Sequence, residues 1–283
     1  MKTKLFLTFV AAMLIVGCGG KSQKAQINQI TIKGSDTMVH LASNWAEAYM
    51  NDHKDVEIPV TGGGSGTGIA ALLNGTTDIC IASRKIKSKE ISQAESKNIE
   101  PNEIVVARDA IAVVVNPENP LNELSMAQIG DIYTGTYTNW NEVGGPDQPI
   151  VILSRESSSG TFVFFQEHVM SKRDYSQKAM LMPSTSAIVQ SVSQDKWSIG
   201  YVGLGYAVEA GDRVKALEII PAVGSPAVVA SVATCIDGTY PISRPLHFYT
   251  NGEPKGPIKE IIDFCLSPAG QNIVLSTGYV PIN

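Results

Sequence analysis

Val60-Thr61-Gly62-Gly63-Gly64-Ser65-Gly66-Thr67-Gly68-Ile69-Ala70-Ala71-Leu72-Leu73-Asn74-Gly75 decides the fold. Residues 56–60 read as a β-strand, and a turn rich in glycine and hydroxyls follows at once. Residues 69–73 continue as a helix, which Asn74-Gly75 suits as a C-terminal cap. The pattern recurs on both sides. Residues 29–33 read as a strand that runs into Gly34-Ser35-Asp36-Thr37, and the next helix places Met38, Leu41, Ala42, Trp45 and Tyr49 at helical spacing. Residues 150–153 run into Arg155-Glu156-Ser157-Ser158-Ser159-Gly160-Thr161, and the helix after them carries Phe162, Phe165 and Val169 on one face. Residues 78–82 form a further strand, followed by Ser83-Arg84. Strands that alternate with helices are the signature of α/β architecture.

The rest of the chain keeps that rhythm. Residues 104–115 are a long strand-like run, punctuated by Pro117 and Pro120. Leu124-Ser125-Met126-Ala127-Gln128-Ile129 combines a capping box with a hydrophobic staple and starts a helix. Residues 198–204 and 214–219 read as strands, and residues 241–249 as extended. Two C-terminal helices follow, the second capped by Ser267-Pro268.

Composition narrows the function. The 283 residues are 43% hydrophobic and 17% charged, which excludes a disordered chain. Four cysteines are too few for a disulfide scaffold. The formal charge of −5, with no polybasic run, argues against a nucleic-acid binder. Any anion must therefore be bound locally, by few charges and many directed hydrogen bonds. Cys80, Cys235 and Cys265 form no CxxC pair, and no histidine stands at metal-ligand spacing from them, so no metal is expected. One disulfide and buried free thiols are both compatible with the sequence.

The N-terminus reads as an address. Lys2 and Lys4 precede an apolar run over residues 5–16, too short to span a bilayer comfortably and right for a signal peptide. Ile15-Val16-Gly17-Cys18 resembles the lipobox of bacterial lipoproteins, in which the cysteine is lipidated and becomes the first mature residue. This makes residues 1–17 a lipoprotein signal peptide and residues 18–28 a lipidated start and polar tether. Loss of residues 1–17 leaves 20 basic against 27 acidic side chains, a net −7. The expected location is the cell envelope outside the cytoplasm, periplasm or cell surface, anchored through Cys18.

The three strand–helix junctions carry the chemistry. A helix N-terminus has unpaired N–H groups and a partial positive charge, and preceding glycine and serine turn it into an anion cradle. In an open α/β sheet such cradles gather at the carboxyl ends of the strands. Arg155 adds a full charge and a planar fork suited to phosphate-like oxygens. Taken singly, each junction is an ordinary cap; together they point to a small oxyanion. Residues 62–68 are not a P-loop, since Ile69 stands where the lysine is needed, and they lack the spacing of a dinucleotide fingerprint. Ser65 lacks the second glycine of a nucleophile elbow. His40, His53, His168 and His247 are scattered, and none is assigned as a base. A secreted serine hydrolase or phosphatase is the alternative from another class.

At these loops the sequence closely resembles the phosphate-binding proteins of bacterial phosphate ABC transporters (PstS-type). The resemblance rests on residues 34–37, on residues 62–68 with Asp78 to Arg84, on residues 155–161, and on Ser267-Pro268-Ala269-Gly270-Gln271 to Gly278-Tyr279-Val280-Pro281. It implies a two-lobed periplasmic-binding-protein-like α/β fold, with the ligand cleft between the lobes and two hinge strands. The crossings would lie near residues 110–114 and 240–246. Lobe I would comprise residues 29–112 and 241–283, and lobe II residues 113–240. The implied partners are inorganic phosphate and the permease subunits, with no catalytic residue and no cofactor. The implied phosphate contacts are Ser35, Thr37, Ser65, Gly66, Ser83, Arg155, Ser159, Gly160 and Thr161. Some family members carry a carboxylate where Ser83 stands and an acid where Ser157 stands. Asp36 is the candidate replacement that would accept a hydrogen bond from the protonated phosphate oxygen; its other reading is an ordinary N-cap or first-turn acid. The departure at Ser83 keeps another oxyanion (sulfate, molybdate or tungstate) as the alternative ligand.

Overall fold

The computed structural model describes residues 28–282. The signal peptide, Cys18 and the tether up to residue 27 lie outside the described residues. The backbone is organised by a nine-stranded mixed sheet. Its order runs Val60–Thr61, Ile32–Gly34, Ile79–Ala82, Ser243–Asn251, Pro101–Val115, Ser198–Gly203, Val151–Arg155 and Met180–Met182, with Lys215–Ala216 also paired to Pro101–Val115.

The central strand Pro101–Val115 joins two halves. At about 3.3 Å per residue it spans roughly 50 Å. Residues 101–110 pair antiparallel with Ser243–Asn251, and residues 111–115 pair antiparallel with Ser198–Gly203. The hydrophobic residues divide along the same line. One core gathers Ile32, Leu41, Trp45, Ile81, Val106, Phe248 and Ile262. The other gathers Val113, Tyr133, Trp140, Leu153, Phe165, Ile188 and Tyr201. A small satellite around Leu72, Cys80 and Tyr249 flanks the first. Cys80, Cys235 and Cys265 are buried free thiols, and burial pushes the Cys80 thiol up to about 12.

Within each half the strands that feed the cleft are parallel. Ile32–Gly34 pairs in parallel with Val60–Thr61 and with Ile79–Ala82, while Val151–Arg155 pairs in parallel with Met180–Met182 and with Ser198–Gly203. Their carboxyl ends face each other across the gap between the cores, the usual ligand position in open α/β sheets.

Several local expectations are revised. The predicted strand at 56–60 is two short strands, Val56–Glu57 and Val60–Thr61, because Pro59 has no N–H to offer a ladder. The strand at 29–33 likewise divides into Asn28–Gln29 and Ile32–Gly34. The strand at 214–219 divides into Lys215–Ala216 and Glu218–Ile220. The second helix starts at Ser65, not Ile69. On the helix Gly160–His168 the buried apolar side chains are Val163, Phe164 and Phe165, and Phe162 is only half-buried. The C-terminal helices Gly256–Leu266 and Pro268–Ser276 stand as expected, with Ser267 Oγ capping the Gly270 amide. Trp45 ties them to the first core through an indole bond to the Gly270 carbonyl at 2.8 Å.

Candidate functional site

The cluster at the cleft forms from strand ends. Gly34 closes its strand and hands the chain to Ser35, which precedes the short 3₁₀ turn Asp36–Met38 ahead of helix Val39–Asp52. Residues 62–64 bring the chain back to Ser65, the first residue of helix Ser65–Leu73. Gly64 must be glycine: its φ is 102°, and a Cβ there would lie 2.6 Å from the Ser158 carbonyl oxygen. Ala82 leads directly into Ser83. From the second core, Ser159 caps helix Gly160–His168 by accepting from the Thr161 and Phe162 amides, which leaves its O–H to donate.

These four arrivals meet. The Ser35 hydroxyl donates to Ser83 Oγ at 2.9 Å, Ser65 Oγ pairs with Ser83 Oγ at 3.3 Å, and the Ser83 amide donates to Ser65 Oγ at 3.0 Å. Gly160 closes the group from the other core; a Cβ on it would stand 2.3 Å from Ser65 Oγ and 2.7 Å from Ser83 Oγ. Thr37 and Thr161 bridge the cores, with their hydroxyls 2.8 Å apart. All of these hydroxyls are buried. Hydroxyls rotate freely, so a set that bonds internally can turn its O–H groups onto an anion.

Arg155 and Asp36 occupy the edge of this cluster. The Arg155 guanidinium, 2% exposed, donates to Thr185 Oγ1 at 2.7 Å and to the Pro183 carbonyl at 3.2 Å, and lies 3.3 Å from Asp36 Oδ2. Burial lowers its pKa, and Asp36 opposes that. Asp36 Oδ2 also accepts the Thr185 amide at 2.7 Å, so this acid pins the start of helix Thr185–Gln194 from the opposite core. Ser35 occupies the N-cap position of the turn, without a side-chain capping bond, and Asp36 is the acid of its first turn. The amide of Gly66 donates to the Ser158 carbonyl at 2.9 Å, one residue to the side of the hydroxyls. Arg84 spends its terminal nitrogens within its own core, holding Glu90 bidentately at 2.7 and 2.8 Å.

Sequence reasoning missed the second arginine. Arg244, on strand Ser243–Asn251, is 2% exposed and donates to the Ser83 carbonyl and to Thr161 Oγ1, both at 2.9 Å. Its counter-charge is Asp109 on the central strand, at 3.0 Å. Full burial pushes the Asp109 carboxyl up, and Arg244 and the Leu204 amide pull it back only in part. The helices Thr185–Gln194 and Leu204–Ala210 were missed too. Both open at strand ends facing the cleft, but without a Ser-Gly-Thr signal. Tyr206, on the second of these, donates to the Asp36 carbonyl across the cores. A buried arginine in an extended run carries no local mark; only the pairing of 243–251 with 101–110 reveals its acid.

Each arginine thus has its carboxylate, Arg155 with Asp36 and Arg244 with Asp109. The local charge is balanced before any ligand arrives. An anion held here would depend on hydroxyls and N–H dipoles more than on net charge, and hydrogen bonds of that kind contribute about 1.5–3 kcal/mol each when one partner is charged. Among the described residues no group of three or more histidine, cysteine, aspartate or glutamate side chains could hold a metal ion.

Comparison with known proteins agrees with this architecture. The PBP superfamily domain pattern matches residues 19–271. The phosphate-binding protein PstS of Pseudomonas aeruginosa is 32% identical, over 98% of this chain and 93% of its own. PstS of Staphylococcus aureus is 34% identical, over 95% of this chain and 84% of its own. Among solved structures, a putative phosphate ABC transporter substrate-binding protein from Clostridium perfringens, crystallised with bound phosphate, superposes with a TM-score of 0.81 at 32% identity. That alignment covers 90% of this chain and all of the other. Two cores built on one long shared strand, with glycine- and hydroxyl-rich helix starts facing each other across the gap, place the chain in the PBP superfamily, and within it in the family of the PstS proteins.

Proposed function

We propose that this protein captures orthophosphate between its two cores and delivers it to the permease of an ABC transporter. The observation that carries the reading is the convergence of Ser35, Ser65 and Ser83 from one core with Gly160 and Thr161 from the other on a single buried point. The phosphate named with the C. perfringens structure supports it. In this reading Ser35, Thr37, Ser65, Ser83, Ser159 and Thr161 turn their hydroxyls onto the anion. Gly160 offers its amide and Arg155 lends its charge, while Gly66, whose own amide is held by the Ser158 carbonyl, lets the two cores approach closely. Asp36 takes the hydrogen bond from the protonated oxygen, which sulfate cannot supply. No bond of the ligand is made or broken.

Lobe I comprises residues 29–112 and 241–283 and lobe II residues 113–240, with the two long strands acting as hinges. Cys18 carries the lipid anchor outside the cytoplasm. Ser83, where some relatives carry a carboxylate, keeps another oxyanion (sulfate, molybdate or tungstate) as the second reading, with sulfate the one tested first. Calorimetry of the mature protein with phosphate and with sulfate at equal ionic strength separates the two. Phosphate should bind at least a hundredfold more tightly, and Asp36→Asn should shrink that ratio (a site built around a hydrogen bond discriminates by up to roughly 10⁴-fold). Equal affinities in the wild type would sink the phosphate reading, and an unchanged ratio in Asp36→Asn would return that acid to its structural role.

A further inference from the structure

A cavity of about 310 Å³ lies beside the hydroxyl cluster, in the size range of small-ligand pockets. Ser83, Arg84, Arg244 and His247 form one wall, and Phe164 and Glu167 of helix Gly160–His168 form the other. It therefore spans both cores.

Unmet polar groups are concentrated around it. Among the described residues, six buried side-chain nitrogen or oxygen atoms make no hydrogen bond. Four of the six belong to residues lining this cavity: Arg84 Nε, Arg244 Nε and both imidazole nitrogens of His247. His247 is 1% exposed, and its Nδ1 stands 3.5 Å from Glu103 Oε1 without hydrogen-bond geometry. Buried polar groups are nearly always satisfied, so four orphans around one cavity call for a partner. Both arginines spend their terminal nitrogens elsewhere, on Glu90 and on Asp109, and each retains Nε. The remaining lining is mixed: exposed Lys85 and His168 stand at it with Ser243, and Phe164 and Pro245 give it an apolar stretch. The Phe164 ring centroid lies 5.4 Å from Arg244 Cζ, and Pro245 lines the cavity nearby. Water would answer the donors and leave that apolar stretch wet. Glu167, the acid among the lining residues, repels a second negative charge.

We propose that this cavity binds a small organic monocarboxylate, its head on Arg84 Nε, Arg244 Nε and His247 and its apolar body on Phe164 and Pro245. A ligand that touches both cores binds the closed form preferentially, so it and phosphate must tighten each other's binding by the same factor. That coupling rests on the proposed function; the site itself does not.

The test is calorimetry of the mature protein with benzoate, with benzamide as the uncharged control, in the absence and presence of saturating phosphate. Benzoate should bind saturably and benzamide at least about tenfold more weakly, as the loss of a charge-assisted contact implies. His247→Phe keeps the ring and removes both nitrogens; it should weaken benzoate about tenfold and leave phosphate affinity within about threefold. Glu167→Gln, an exposed change that spares the fold, should tighten benzoate two- to threefold as a like charge is removed. Saturating phosphate should tighten benzoate at least threefold. No saturable benzoate binding, equal affinity for benzamide, or indifference to both substitutions would overturn the site. Benzoate affinity unmoved by bound phosphate would overturn the bridging role. Benzoate binding that depends on His247 in a protein that gives no heat with phosphate would uphold the site and sink the phosphate reading instead.

Discussion

Replacing Gly160 by alanine tests whether closure of the two cores, and not the fold of either, makes the anion site. The added methyl would lie 2.3 Å from Ser65 Oγ, 2.7 Å from Ser83 Oγ and 3.1 Å from Ser65 Cβ. Those atoms belong to the opposite core, so the methyl acts as a wedge at the point where the cores meet. Ordinary contact needs about 1 Å more room than the Ser65 hydroxyl leaves. That displacement takes both serine hydroxyls out of reach of an anion seated against the Gly160 amide. Two charge-assisted hydrogen bonds at about 1.5–3 kcal/mol each correspond to about 3–6 kcal/mol. The phosphate dissociation constant should therefore rise about 10²- to 10⁴-fold. The fold should not suffer. Gly160 opens its helix at an ordinary helical position, where alanine is favoured over glycine by up to about 1 kcal/mol. Calorimetry gives the affinity, and thermal unfolding without ligand gives the stability. A dissociation constant within threefold of wild type, or a fall in Tm as large as a core mutation causes, would refute the reasoning.

Arg244→Met should destabilise the protein by about 3–5 kcal/mol in urea unfolding, because it strands the fully buried Asp109 without its counter-charge; adding Asp109→Leu should recover most of the loss, and no recovery would mean that the arginine matters through Ser83 and Thr161 instead. The Arg84–Glu90 pair predicts an acid limb of stability. Burial raises the Glu90 pKa, but hydrogen bonds from Arg84 and Lys87 outweigh that and leave it below its ordinary 4.5. A carboxyl lowered on folding stabilises the native state above its unfolded pKa and loses that contribution as pH falls through the folded one. Glu90→Gln should therefore lower stability at pH 7 and flatten its decline below about pH 4.5, and parallel pH–stability curves for the two proteins would count against the pair.

The strand–turn–helix junctions at Ser35, Ser65 and Ser159 were legible because each is local. A strand end, a serine at the helix start and a helical apolar period all lie within about a dozen residues, and the physics of a helix N-terminus needs nothing more. Even there the sequence blurred a distinction. Ser65-Gly66-Thr67 and Ser159-Gly160-Thr161 read alike, yet Ser159 is a cap while Ser65 already lies inside its helix, because Gly64 takes the positive φ that turns the chain one residue earlier. Arg155 was legible as a charge beside such a loop. Its partners were not, since Asp36 reaches it from over a hundred residues away, and Thr185 belongs to a helix that the sequence did not announce.

Arg244 and Asp109 lie deeper in the same difficulty. Each sits in an extended apolar run where a charge looks like a solvent-facing residue. Only the antiparallel register of Ser243–Asn251 on Pro101–Val115, which sets Arg244 opposite Asp109, turns two isolated charges into a buried pair beneath the cleft. The local rules of capping and periodicity wrote the loops. Strand order and the closing of two cores, which depend on contacts far apart in the chain, decided which side chains those loops would meet.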